Sequence, residues 1–223
     1  MVKEEMRESP AGMSMYGTFS SCMRKGAFKY YLGFIRQGIK SVPLVHGSAV
    51  HEGKKVFYET WDIMDATNRA IEVAHEDEES FDSMAIEEMR LRELFKVWME
   101  RYGQYEQERY SVITNESQEI IKLPNGAEIT LRIDQVLREK ETGLINIFDT
   151  KTTGWSLEGT IAEYGYKAQP LLYIASVYAS NPGWLADFRG WITDVIYQRV
   201  NFKKTGELSS ISTKCERSPS IMY

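Results

Sequence analysis

The stretch "LRIDQVLREKETGLINIFDTKTT", from Leu131 to Thr153, restricts the possible folds of this chain more than any other. Asp134 and Asp149 each sit inside an apolar, β-branched run of the kind that forms a strand. Lys151 follows the second acid by two residues, so on a strand both project from the same face. A turn at "KETG" centred between Glu141 and Thr142 sets Asp134 directly across from Asp149, with Cβ atoms about 4.5–5.5 Å apart. Two ionised carboxylates at that spacing repel each other, and desolvation worsens it. A sheet tolerates them only if one is protonated or a cation lies between them.

The preceding hairpin is read the same way. "QEIIKL" and "AEITLRIDQVL" flank the turn signal "PNG". With Asn125-Gly126 at the turn centre, Glu119 falls on the face that carries Asp134, while Glu116 points away. Three carboxylates and one ammonium then converge on one side of one sheet. Such an oxygen-rich cluster suits Mg2+ or Mn2+ more than zinc. The lysine can hold a phosphate oxygen or an attacking water, and together these parts suffice for metal-assisted phosphodiester hydrolysis.

An acid-x-Lys triplet is weak by itself. "EGK" at Glu52–Lys54 is a second one, on a predicted helix, and carries no catalytic meaning here. Alone, Asp149–Lys151 would read as a surface ion pair. The apolar "LINIF" before it argues against an exposed edge.

The rest of the chain predicts an α/β (α+β) sandwich: a central mixed sheet containing a three-stranded antiparallel meander, flanked by helices, behind an N-terminal helical extension. From Ser20, a candidate N-cap, "CMRKGAFKYYLGFI" reads as an amphipathic helix. Further helices are predicted over 47–74 and 81–105, and another in "AEYGYKAQPLLYIASVYAS", starting or kinking near Gln169. "WITDVIYQRV" supplies the last strand. Residues 1–17 and 205–223 are polar and expected to be loose. That leaves one domain over 18–204, helical over 18–110, with sheet and helix over 111–204.

Composition narrows the class. The net charge of −5 looks wrong for a nucleic-acid binder, but eight of the 32 acids and only one of the 27 bases lie between Glu72 and Arg90. The remainder is slightly basic, so an anionic partner would meet the molecule away from that acidic arm. No apolar run approaches the ~18 residues of a membrane span, so no membrane association is expected. The opening "MVKEEMRESPAGMSMYG" lacks the apolar centre of a secretory signal, which predicts a cytoplasmic protein. The two cysteines, Cys22 and Cys215, cannot furnish a four-cysteine iron–sulfur or zinc site within one chain.

Five short patterns in order over residues 19–173 resemble the PD-(D/E)XK nuclease superfamily, and within it the RecB-like branch. That branch includes phage recombination exonucleases and CRISPR-adaptation nucleases. The patterns are "FSSCMRK", "GSAVHE", "RID", "DTKTT" and "QPLLY". The resemblance implies a restriction-endonuclease-like core and a divalent-metal site. It makes His51 a helix-borne metal ligand, Asp134 and Asp149 paired metal-binding carboxylates, the Thr150 carbonyl a further ligand and Lys151 the catalytic lysine. Glu119 resembles an accessory acid, and Gln169 with Tyr173, one helical turn apart, a pair beside the DNA backbone. Relatives with an iron–sulfur cluster use four cysteines, so a cluster-free member is implied. Leu131 stands where many relatives have glycine.

Bland alternatives stay open for several residues. His51 could be satisfied by a neighbour, Gln169 could cap a helix and Tyr173 could be core. Arg24, Lys25 and Lys29 either form a solvated face or steer a phosphate backbone. Tyr30 and Tyr31 read as packing. The expected function is a Mg2+- or Mn2+-dependent DNA exonuclease in recombination, repair or mobile-element processing, with DNA as partner. A recombinase, helicase or second nuclease subunit, or another copy of the chain, is a further candidate partner. An endonuclease on the same fold and an inactive scaffold that recruits a recombinase or helicase are the rivals.

Overall fold

The computed structural model describes residues 13–32, 40–122, 126, 128–164, 168–184 and 186–218. Residues 1–12 of the expected loose segment 1–17, and 219–223 of the expected loose tail 205–223, lie outside them. Its centre is a five-stranded sheet of β1 (Tyr110–Lys122), β2 (Glu128–Glu139), β3 (Ile145–Thr153), β4 (Phe188–Phe202) and β5 (Leu208–Arg217). They lie side by side in chain order. β1, β2 and β3 form the predicted antiparallel meander. β3 and β4 run parallel, and β5 returns antiparallel to β4. The sheet is therefore mixed, as expected.

Helices α1 (Met13–Ser21) and α2 (Met23–Gly26), with the π-helical turn Ala27–Tyr31, form the N-terminal extension. Residues 13–17, expected to be loose, are the start of α1. The predicted single helix from Ser20 is broken at Cys22, which is extended and accepts a hydrogen bond from the Lys25 amide. The helix predicted over 47–74 is also two elements, α3 (Val42–Thr60) and α4 (Ile63–His75). Trp61 adopts a left-handed backbone (φ 57°), and Asp62 caps α4 by accepting from the amides of Met64 and Asp65. A third helical run, α5 (Met84–Trp98), a π-helical turn at Met99–Gly103 and α6 (Gln104–Arg109), leads into β1. Gly53 lets these helices close up. A Cβ there would stand 2.4 Å from Phe95 Cζ and 2.7 Å from the Ala66 carbonyl.

On one face, Phe57, Ala70, Leu91, Leu94, Phe95 and Trp98 from these helices pack against Leu137, Phe148 and Ile196 of the sheet. On the other, α8 (Ala168–Ser180) lays Tyr173, Ile174 and Val177 over Ile133, Ile145, Ile147 and Trp191. α7 (Leu157–Tyr164) connects β3 to α8 and packs on β4. Covered on both sides, β2 and β3 bury every residue from Ile133 to Leu137 and from Ile145 to Thr150.

The expected loose tail is corrected by β5. Residues 208–217 pair with β4 from Phe202↔Leu208 to Asp194↔Arg217. Among the described residues no helix is long and apolar enough to cross a membrane.

Candidate metal centre

The β2–β3 register follows the predicted turn: Gln135↔Phe148 through Arg138↔Ile145. The ladder ends at Gln135↔Phe148, and Asp134 and Asp149 are the next residues beyond that pair on their two strands. Both are nearly inaccessible, at 7% and 1%. The Thr150 amide donates to Asp134 Oδ2 at 3.0 Å, fixing that carboxylate against the end of the Asp149 segment. α3 brings His51 over the same point, its Nδ1 3.2 Å from Asp134 Oδ2.

The third acid is not the predicted one. In β1–β2 the pairs run from Lys122↔Glu128 back through Glu119↔Leu131 to Asn115↔Gln135. The loop therefore spans five residues, one off the assumed turn centre, and Glu119 faces Leu131 instead of joining the cluster. Glu116, expected to point away, falls between Asn115↔Gln135 and Ser117↔Ile133, across from Asp134. Its backbone is left-handed (φ 54°), a conformation that re-aims a side chain locally. His51, Glu116 and Asp134 offer ligand atoms all within 4.8 Å of one another. Arg132 holds Glu116 Oε2 at 2.5 Å and stands 3.6 Å from Glu52.

Lys151 Nζ donates to Asp149 Oδ1 at 2.8 Å. Asp149 Oδ2 is buried and has no hydrogen-bond partner among the described residues. A buried, half-satisfied carboxylate is costly, and a cation is the group that would complete it. A donor set of one imidazole and several carboxylate oxygens fits a divalent ion such as Mn2+ or Mg2+.

Electrostatics set the four groups apart. Burial, helped by the Asp134 charge and opposed by Lys151, pushes the Asp149 carboxyl up to about 6. Burial also works against ionised Asp134, but His51, Lys151 and the Thr150 amide outweigh it and hold that carboxyl well below its usual range. Burial would discharge Lys151, yet Asp149 and Asp134 keep the ammonium well above its ordinary value. For His51, burial is overcome by Asp134 and then Glu116, and the imidazole is held up.

Gln169 and Tyr173 share one side of α8, with Gln169 Nε2 donating to the Tyr173 hydroxyl at 3.0 Å. Burial and the Asp149 charge push that phenol up, so it keeps its proton. Tyr164, which the sequence did not single out, lies with its ring centre 5.5 Å from Lys151 Nζ. Arg24 and Lys25 are exposed on α2, which packs mainly against α1 and the following turn.

A family model described as the PD-(D/E)XK nuclease superfamily matches residues 11–210. No curated protein matches the chain. The solved structure described as "Crystal structure of SSO0001" is similar at 11% identity, covering 92% of this chain and 79% of that one with a TM-score of 0.25. A likeness that loose says nothing further about function.

Proposed function

The chain belongs to the PD-(D/E)XK nuclease superfamily, and from that premise we propose that it is a divalent-metal-dependent DNA exonuclease of the RecB-like branch, working in recombination, repair or mobile-element processing. The observation that carries this reading is the unfinished carboxylate: Asp149 gives one oxygen to Lys151 and leaves the other buried without a partner, beside the His51, Glu116 and Asp134 cluster.

His51, Glu116 and Asp134 would hold the ion, with Asp149 Oδ2 and the Thr150 carbonyl as further donors. Bound there, a divalent cation supplies Lewis-acid polarisation of a phosphate oxygen and a more acidic water. Lys151 stays protonated beside Asp149, so its ammonium donates to the attacking water or to the charge building on the scissile phosphate. The contact between His51 and Asp134 fixes the imidazole ring. Tyr173, its oxygen occupied by Gln169, keeps its hydroxyl hydrogen free to donate to a phosphate oxygen of the strand. Glu116 takes the accessory-acid role that Glu119 was given.

The test is hydrolysis of end-labelled linear DNA and of closed circular DNA with Mg2+, with Mn2+ and with EDTA. Metal-dependent loss of linear DNA, sparing circles and abolished by Lys151→Ala, is the expected result. Nicked circles would move the assignment to an endonuclease. No cleavage with either metal, by protein that still binds DNA, would leave an inactive scaffold.

A further inference from the structure

Beyond Lys151, β3 runs into the loop "TTGWS", and Trp155 there is 94% exposed. The other four tryptophans are buried or half-buried. An indole left in water gives up a large apolar burial. Its position is fixed by a short bridge: the Trp155 amide donates to the Thr153 hydroxyl, and a Cβ on Gly154 would stand 3.8 Å from the Gln198 carbonyl. The loop thus lies on β4 next to Arg199.

The face of the sheet presented there follows from the register. Gln198 bonds to the Arg90 carbonyl, and Ile196 and Cys215 belong to the core beneath α3–α5, so their strand neighbours point the other way. Arg199, paired with Ser212, and Lys214, paired with Tyr197, therefore share the face of Asp149 and Lys151. Thr153, Tyr197 and Lys214 form one row across β3, β4 and β5 at about 4.8 Å per strand. Arg199 and Lys214 are exposed and form no ion pair among the described residues. One acid adjoins the row, Glu216 opposite Val195, and past Trp155 the Ser156 hydroxyl donates to Glu158 at 3.3 Å.

We propose that Trp155, Arg199 and Lys214 form a single-strand track: an unpaired base stacks on the Trp155 indole while Arg199 and Lys214 hold the phosphates that follow, beyond the one at Lys151. Unpaired bases are chosen over duplex because a base inside a helix has no free face to offer an exposed ring. This deepens the nuclease reading and rests on it for the phosphate at Lys151.

The test is equilibrium binding of a fluorescent oligothymidylate and of a blunt duplex of equal length, in EDTA so that nothing is cleaved. Trp155→Ala is expected to weaken oligothymidylate binding about tenfold or more, Trp155→Phe to restore most of it, and duplex binding to stay unchanged. Changing Arg199 and Lys214 together to Gln is expected to flatten the slope of log K against log salt by about 1.4, two phosphates at roughly 0.7 each. Unchanged binding by folded Trp155→Ala, equal loss on duplex, or no oligothymidylate binding by the wild type would each overturn the track. A wild-type protein that binds but never cleaves overturns the nuclease reading alone. Cleavage with Trp155→Ala binding like wild type overturns the track alone.

Discussion

Two clusters of charged side chains lie on either side of Thr150. In one, Lys54 and Arg217 face Asp194 and Glu106. Arg217 Nε donates to Asp194 Oδ1 at 2.7 Å, Lys54 Nζ to Oδ2 at 3.1 Å, and Trp98 also reaches Oδ2. Arg217 pairs with one Glu106 oxygen and the Tyr58 hydroxyl donates to the other at 2.5 Å. Every carboxylate oxygen is matched and the charges balance. In the other cluster Glu116, Asp134 and Asp149 meet the half-buried Lys151 ammonium, His51 and the exposed Arg132, and Asp149 Oδ2 is left alone. Thr150 touches both, its amide on Asp134 and its hydroxyl on Lys54. The contrast is between a charge cluster whose carboxylate oxygens are all matched and one that leaves a carboxylate oxygen over.

The difference shows in how each group titrates. Burial disfavours ionised Asp194, but Arg217 and Lys54 prevail and hold its carboxyl well below the usual range. Asp149 is pushed up to about 6. Below pH about 4 both folded and unfolded chains carry the Asp149 proton. Between about 4 and 6 the unfolded chain has ionised while the folded chain keeps the proton, and above about 6 both are ionised. In metal-free protein the folded state thereby loses up to about 3 kcal/mol of stability, progressively across that window as pH rises. Asp149→Asn should therefore cut DNA hydrolysis by about 10^2–10^3-fold or more while leaving the protein at least as stable at pH 7 by urea denaturation in EDTA. A clear loss of stability would break the contrast.

Arg217→Met should do the reverse. It leaves Glu106 with only the Tyr58 hydroxyl and Asp194 with Lys54 and Trp98, and urea denaturation should show a loss of about 3–5 kcal/mol. A loss below about 1 kcal/mol would mean that the balanced cluster is not structural. Replacing one acid at a time sharpens the other side. Glu116→Gln should weaken Mn2+ binding about tenfold or more in calorimetric titration, whereas Glu119→Gln should leave it unchanged. Equal effects would remove Glu116 from the ligand set.

Much of this was legible in the sequence, for physical reasons. The strand pair carrying Asp134 and Asp149 is short, apolar and closed by a turn whose centre can be counted, so its register follows. Glu116 was missed because the loop before β2 is five residues long, and a slip of one changes which residue faces Asp134. The acid-x-Lys pattern at Glu52–Lys54 was given no catalytic meaning, and its lysine proves to be half of a buried ion pair with Asp194, which only tertiary contacts reveal. β5 hid because "LSSISTKCER" is polar, as edge strands are. The α3–α4 break was written in Asp62, a capping residue inside an otherwise continuous helical pattern. Trp155 carried no periodic signal, and only its exposure sets it apart.

Arg217 reaches Asp194 and Glu106 from β5, the last described strand. On the ribosome, Lys54, Glu106 and Asp194 emerge well before it. Until β5 leaves the exit tunnel, the nascent molecule holds two acids against a single base. This interior can therefore close only once β5 has emerged, and stalling ahead of Arg217 would expose an immature chain to chaperones and proteases.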